Sequence, residues 1–518
     1  MSVVVTEQLK VILDGETLTL DQVVAVVRYG AKVDLNSAAK EKVLRSRKYV
    51  EQLIEENQLV YGITTGFGMF SDVVISKEDA RKLQRNLIMS HSTCVGEPLP
   101  AEVVRAILLL RANALAKGFS GIRLSTLETL IEVLNSEIVP VIPEKGSLGA
   151  SGDLAPLSHM VLVLLGEGEA FYQGRRMSGQ EALAQAEIAP VVLEGKEGLA
   201  LINGTQVMTA IAALAVWDAE VLVETANITA ALSFEALEGI LDAFDPKIHA
   251  VRPHVGQINV AKQIRLLTEG STFVAGDQSS RVQDAYSLRC VAQVHGPSGD
   301  AVAYVKKAVE VEMNSATDNP LIFPEEKQVL SGGNFHGQPI ALAMDFLGIA
   351  VAELANIAER RIERLVNPFL SKLPAFLTPN GGLNSGFMIV QYSAASLVSE
   401  NKILAHPASV DSIPSSANQE DHVSMGTIGA RKARSIIENT AHVLAMELLS
   451  ACQAVDLRIG QEERKLGKGS EGAYLLVRSK VGTLEEDRVM YPDIQVAKEL
   501  ISSGKLVKTV RRKLQTKE

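Results

Sequence analysis

The stretch of this 518-residue chain with the most chemical promise is Pro143-Glu-Lys-Gly146-Ser-Leu-Gly149-Ala150-Ser151-Gly152-Asp153-Leu-Ala-Pro156-Leu-Ser-His159. Three glycines in seven residues permit a tight backbone path that side chains would obstruct. Asp153 can cap the helix that follows, and Pro156 is tolerated in its first turn. On glycine content alone the segment is a turn with a helix cap. Elsewhere, Tyr61 sits in a glycine-bearing loop, Tyr61-Gly-Ile-Thr-Thr-Gly66-Phe-Gly68, where a ligand can approach the backbone. Asn203 precedes a glycine, as turn asparagines do. Tyr286 and Arg289 are spaced i, i+3, so one helical turn puts them on one face, with Gln283 beside them. The planar fork of arginine suits a carboxylate. Glu420-Asp421-His422 reads as a polar loop. As a metal site it lacks further ligands at sensible spacing, and no HExxH pattern occurs, so no metal is expected.

These residues need a scaffold, and the chain has the material for one. Hydrophobic residues make up 47% and charged residues 22%, ordinary for a globular protein with a large core. Between Gly204 and Gly239 run 34 residues without glycine or proline, with five carboxylates and no lysine or arginine. As one helix this is roughly 50 Å long and apolar around most of its circumference. Further helices are expected from about Ile340 to Val366, stopping before Asn367-Pro368, and from about Ala430 to Leu457. Helices this apolar need partners on several sides, which suggests a central bundle completed by other subunits. Near the N-terminus, Asp14-Gly15 between apolar residues suggests a hairpin. Thr19-Leu-Asp-Gln22 is a capping-box pattern for a helix that Gly30 can stop. The fold expected is mainly α: a smaller mixed N-terminal region, 1–200, carrying the glycine turn, and a long-helix bundle region, 201–518, in one continuous structural unit.

Composition narrows the function classes. The net charge of −10, with 4% aromatics and no basic stripe, makes a poor nucleic-acid binder. The most apolar stretches are broken by Asp218, Glu220 and Glu224 or are shorter than a bilayer span, so no membrane insertion is expected. The first residues show no secretion signal. Cys94, Cys290 and Cys452 are odd in number and far apart, which suits a reducing cytoplasm.

Gly149-Ala150-Ser151-Gly152-Asp153-Leu-Ala-Pro-Leu-Ser resembles the signature of the aromatic amino-acid ammonia-lyases and aminomutases. Five more stretches and a Ser-His pair match the family in order over nearly the whole chain: the Tyr61 loop, Ser90-His91, Leu201-Ile-Asn203-Gly-Thr-Gln206, Gln283-Asp-Ala-Tyr286-Ser-Leu-Arg289-Cys290, Gly333-Asn-Phe335-His336 and Asn418-Gln-Glu420-Asp-His422-Val-Ser-Met. The resemblance implies that Ala150-Ser151-Gly152 cyclises autocatalytically into a 4-methylidene-imidazol-5-one, with Ser151 becoming a 2,3-didehydroalanine, and that no external cofactor is used. Small neighbours let the Gly152 nitrogen reach the Ala150 carbonyl, and the helix behind the turn stabilises charge developing on the ring oxygen. A second Gly-x-Ser-Gly-Asp stretch, Gly296-Pro297-Ser298-Gly299-Asp300, lacks this lead-in and carries proline in place of alanine.

The same resemblance implies catalytic roles for Tyr61, as base for the substrate's β-proton, and for Tyr286. Arg289 and Asn203 would hold the substrate carboxylate, Gln283 would orient it, and Phe335 would lie against the electrophile. Glu420 and His91 would hold an imidazole, because a carboxylate can pair with an imidazole N–H and gains nothing from a benzene ring. The implied reaction is elimination of ammonia from L-histidine to give trans-urocanate, in a homotetramer whose sites are shared between subunits. The chain departs from the histidine-specific pattern at Thr64, Cys94 and Gly337-Gln338. A tyrosine or phenylalanine ammonia-lyase or aminomutase on the same fold is the nearest alternative, and a non-enzymatic helical scaffold a remoter one. The loop signature of the fumarase/aspartase lyases is absent.

Overall fold

A computed structural model describes residues 10–56, 58–60, 62–63, 65, 75, 77–274, 281–459 and 464–516. Among these residues it is mainly helical, with four small sheets of two or three strands. The first of these is not the expected hairpin. Strand Lys10–Leu13 pairs in parallel with Lys32–Leu35, in the register Lys10↔Lys32. The helix Leu20–Tyr29 lies between them, and a crossover helix returns the chain in the same direction. Asp14-Gly15 instead makes an Asx turn, in which the Asp14 carboxylate accepts from the Glu16 and Thr17 amides. The helix is closed as the sequence expects, by a Thr19–Gln22 capping box and a left-handed Gly30.

The chain divides into two compact units. The first comprises Met1–Leu214, Lys306–Asp345 and Pro407–Arg431. Within it, helix Lys77–His91 leads into strand Val95–Pro98, which pairs antiparallel with Pro143–Lys145. That pairing brings the end of the helix beside the start of the glycine turn. Helix Leu154–Leu164 follows the turn, with Asp153 at its N-cap.

The second unit comprises Ala215–Val305, Phe346–His406 and Lys432–Glu518. Its framework is the larger part of three long helices. The three predicted from apolar runs are Gln206–Ala236, Gln338–Val366 and Gly426–Ile459, each within a few residues of its expected range. The first two are long and apolar enough to cross a bilayer, but most of each apolar stretch is buried in the fold, as in core helices. In this apolar interior Arg361 pairs with Glu447, both fully buried. The Glu447 carboxylate also accepts the hydroxyls of Thr229, at 2.6 Å, and Ser233, at 2.8 Å. Ser298 of the second Gly-x-Ser-Gly-Asp stretch lies inside the continuous helix Val291–Met313, its hydroxyl donating to the Ala350 carbonyl at 2.8 Å. A backbone held in helical conformation cannot fold a residue back on its neighbour, so this serine has no route to a ring.

Candidate active site

The glycine turn lies open to a cavity of about 260 Å³ in the first unit. Ser90, His91, Gly149, Ala150, Ser151, Gly152, Ser415 and Glu420 are among its lining residues. That is close to the lower end of small-molecule sites, about 300–1,000 Å³, and suits a ligand the size of one amino acid.

Backbone geometry at the turn depends on glycine. Gly149 and Gly152 have φ of +73° and +70°. A Cβ on Gly152 would stand 2.3 Å from the Gly204 carbonyl oxygen, and one on Gly149 would stand 2.3 Å from the Ser424 hydroxyl. Asp153 then anchors the turn in a way its sequence position does not announce. Its side chain makes no cap for the helix that follows it. Instead Oδ2 accepts the backbone N–H groups of Val207, at 2.9 Å, and Met208, at 2.8 Å, in the first turn of the helix Gln206–Ala236. Oδ1 accepts the hydroxyls of Ser147, at 2.9 Å, and of Thr427. Burial pushes the Asp153 carboxyl above its ordinary pKa, against the lowering effect of these hydrogen bonds. The Asp153 N–H donates to the Gly204 carbonyl at 2.7 Å. One buried carboxylate thus fixes the turn to the start of a long helix and to the segment around Thr427.

Asn203, directly before Gly204, is buried, with its side-chain oxygen unpartnered. Its position is set from beneath by Arg111. That fully buried guanidinium donates to the carbonyls of Ala200 and Asn203 and to the Gln206 side chain. Burial lowers the Arg111 pKa to about 10.

On the far side of the cavity, Glu420 Oε1 accepts the Ser151 hydroxyl at 3.2 Å and Oε2 accepts the Ser415 hydroxyl at 3.0 Å. His91 ends the helix Lys77–His91, with Nδ1 3.0 Å from the Ser90 hydroxyl. That hydroxyl donates to the Leu87 carbonyl, so Nδ1–H of His91 is the donor to it and Nε2 keeps the lone pair. Burial lowers the His91 pKa, opposed by a backbone hydrogen bond to Leu87 and by the charge of Glu420. Cys94 lies nearby, its N–H donating to His159 Nε2 at 3.1 Å. Burial raises its thiol to about 12, which disfavours the thiolate.

The structure therefore gathers Ala150, Ser151, Gly152, His91 and Glu420 around one cavity, with Asn203 next to the glycine that contacts Gly152. Phe335 is partly buried in the turn Gly333–His336 and is not among the residues lining the cavity. Tyr61 and Thr64 lie outside the described residues. Gln283, Tyr286 and Arg289 belong to the second unit, where the Arg289 guanidinium carbon lies 4.5 Å from the Tyr286 ring centre. Sequence reasoning missed Ser415, Thr427 and Arg111. Only their contacts with Glu420, Asp153, Asn203 and Gln206 reveal them, and no local pattern marks Ser415, Thr427 or Arg111 themselves.

The sequence model of the family described as "Aromatic amino acid lyase" matches residues 18–479. A histidine ammonia-lyase of Alkaliphilus oremlandii is 63% identical over 503 residues, covering 97% of this chain and 99% of that one. The crystal structure of histidine ammonia-lyase from Trypanosoma cruzi superposes with a TM-score of 0.91 at 45% identity, covering 98% of each chain. Tyrosine aminomutase from Streptomyces globisporus superposes with a TM-score of 0.93 at 41% identity, covering 98% of this chain and 100% of that one. Fold likeness alone does not choose between the two chemistries.

Proposed function

The chain belongs to the aromatic amino acid lyase family, and from that premise we propose that it eliminates ammonia from L-histidine to give trans-urocanate. It is a carbon–nitrogen lyase. The observation that carries the choice of histidine is the Glu420 carboxylate, presented to the Ser151 cavity together with His91. Its support is the 63% identity to a histidine ammonia-lyase over nearly the whole chain.

The residues at the turn suit a methylidene-imidazolone. Its cradle is closed to any Cβ at residue 152, which holds the turn compressed, and Ala150 and Ser151 both face the cavity. Ring closure joins the Gly152 nitrogen to the Ala150 carbonyl carbon, whose oxygen leaves as one water. Ser151 loses its hydroxyl and α-hydrogen as a second. Once formed, the group supplies an electrophilic carbon that draws electrons from the substrate's α-amino group. The chain's other residues bind, orient and move protons. Glu420 accepts an imidazole N–H of the substrate, and the lone pair on His91 Nε2 can accept another when the ring is protonated. The Asn203 amide and the Arg289 fork take the substrate carboxylate, with Gln283 orienting it and Phe335 packing against the ring. Tyr61 takes the β-proton, with Tyr286 assisting.

The working form is a homotetramer whose neighbouring copies bring Gln283, Tyr286 and Arg289 to the cavity. Two features support this: Tyr286 is 70% exposed in the single chain, and the apolar Leu342, Phe346 and Ile349 of helix Gln338–Val366 are exposed as well. Three free thiols suit a reducing cytoplasm.

The test combines intact mass with turnover. The purified protein should weigh two waters less than its sequence, and L-histidine should yield a conjugated product in preference to phenylalanine and tyrosine. Full sequence mass, or faster turnover of tyrosine, overturns the reading.

A further inference from the structure

Glu420 is presented by an unusual piece of backbone. Ser416, Ala417 and Asn418 have φ of +49°, +53° and +68°, three successive left-handed residues with no glycine among them. Ser415 and Glu420 close this turn by pairing across it, Ser415 N–H to Glu420 O at 2.8 Å and Glu420 N–H to Ser415 O at 3.3 Å. Residues 416–419 are exposed. Among the described residues, the hydrogen bonds leaving the segment 415–422 reach two places. One is the Ser151 hydroxyl. The other is His336, whose Nε2 lies 3.3 Å from the His422 carbonyl oxygen and 3.4 Å from His422 Nδ1. The two imidazoles are stacked, with centroids 5.5 Å apart and planes 25° apart.

The protons in this pair follow from its neighbours. His336 Nδ1 accepts the Gln338 backbone N–H at 3.3 Å, so the His336 proton is on Nε2. That N–H is shared by the His422 carbonyl and Nδ1, which leaves the His422 proton on Nε2. Gly337 fixes the loop in turn, because a Cβ there would meet Met208 Sδ at 2.5 Å and the Ser424 hydroxyl at 2.9 Å.

The two anchors have different fates. Under the proposed function, on which this inference rests, the Ser151 hydroxyl leaves as water when the ring forms. Glu420 Oε1 is then released for the substrate, and the turn loses one of its two external hydrogen-bonding tethers. We infer that His336 and His422 are positioning residues for the proposed site: a stacked, hydrogen-bonded imidazole pair that ties the left-handed turn of Glu420 to the Phe335 loop and holds the carboxylate in place after the ring has formed. Neither imidazole touches substrate in this reading. They act through Glu420.

The test uses the full-length enzyme with His336→Ala and His422→Ala, beside the near-isosteres His336→Gln, which keeps a donor at the ε position, and His422→Asn, which keeps an acceptor at the δ position. Both alanine variants should still be two waters lighter than their sequence mass. Their KM for L-histidine should rise about tenfold, the effect of one weakened hydrogen bond, with a smaller change in kcat. The near-isosteres should recover most of the loss. In a Glu420→Gln background, adding His422→Ala should cost less than about twofold more, because the carboxylate it positions is already gone. A wild-type KM in the alanine variants overturns the inference. So does an equal loss in variant and near-isostere, or a fully additive loss in the Glu420→Gln background. If the wild type itself keeps its full sequence mass or ignores histidine, the proposed function has failed instead.

Discussion

Two turns meet at the cavity, one carrying Ser151 and the other Glu420. Around Ser151 the positive φ angles fall on Gly149 and Gly152, where they cost nothing sterically. Asp153 is fully buried and takes four hydrogen bonds from three separate segments. Around Glu420 the positive φ angles fall on Ser416, Ala417 and Asn418, at about 1–2 kcal/mol per left-handed residue, less for asparagine. That turn is exposed and lightly tethered. The difference matches the demands on each. A backbone that must close on itself needs immobile surroundings, because a misplacement of about 1 Å can cost about a hundredfold in rate. A group that only recognises a ring can sit on a looser support.

Three substitutions sharpen or break this contrast. The largest effect belongs to Gly152→Ala, whose new Cβ would collide with the Gly204 carbonyl. Turnover should fall more than about a thousandfold, as when a covalent catalyst is removed, and the two-water mass deficit should disappear. Survival of both would mean that the turn is less rigid than described. Glu420→Gln keeps the shape and removes the charge. Losing a charged hydrogen bond costs about 1.5–3 kcal/mol, so histidine turnover should drop about ten- to a hundredfold, with the mass deficit intact and trace activity on tyrosine equal or higher. Full histidine activity would remove Glu420 from the specificity role. Ala417→Gly should have the smallest effect. It relieves one left-handed residue, so the thermal midpoint should rise by roughly 1–2 °C while kcat/KM stays within about twofold. A lower midpoint would show that the turn carries no strain to relieve.

The two turns also differ in how legible they were. The glycine turn is written in residue types, since only glycine tolerates Gly152's angle and neighbours. The left-handed turn is not, because Ser-Ala carries no mark of it and the Ser415–Glu420 backbone pairing that closes it shows only in the fold. Asp153 was read as a cap and is one, but for a different helix, and its partners Val207, Met208 and Thr427 lie 54 to 274 residues away. The stacked histidines are 86 residues apart. The long helices were legible to within a few residues because apolar runs without glycine or proline set their ends. The N-terminal strands were misread as a hairpin because Asp-Gly is an equally good Asx turn. Nothing in chain order foretold that Lys306–Asp345 and Pro407–Arg431 pack with the first unit.

The buried pair of Arg361 and Glu447 has a consequence for how the helices find their alignment. A helix that is greasy on most sides gains almost as much from its neighbours after sliding by one turn, about 5.4 Å, as it does in place. Apolar contact alone is a poor ruler. A charge is a good one. Sliding Gly426–Ile459 against Gln338–Val366 by a turn would strand the guanidinium and the carboxylate apart in a dry interior, at a cost of about 3–5 kcal/mol, and would pull Glu447 away from Thr229 and Ser233 on a third helix. The pair works as a detent, making one alignment of three helices much better than its near neighbours.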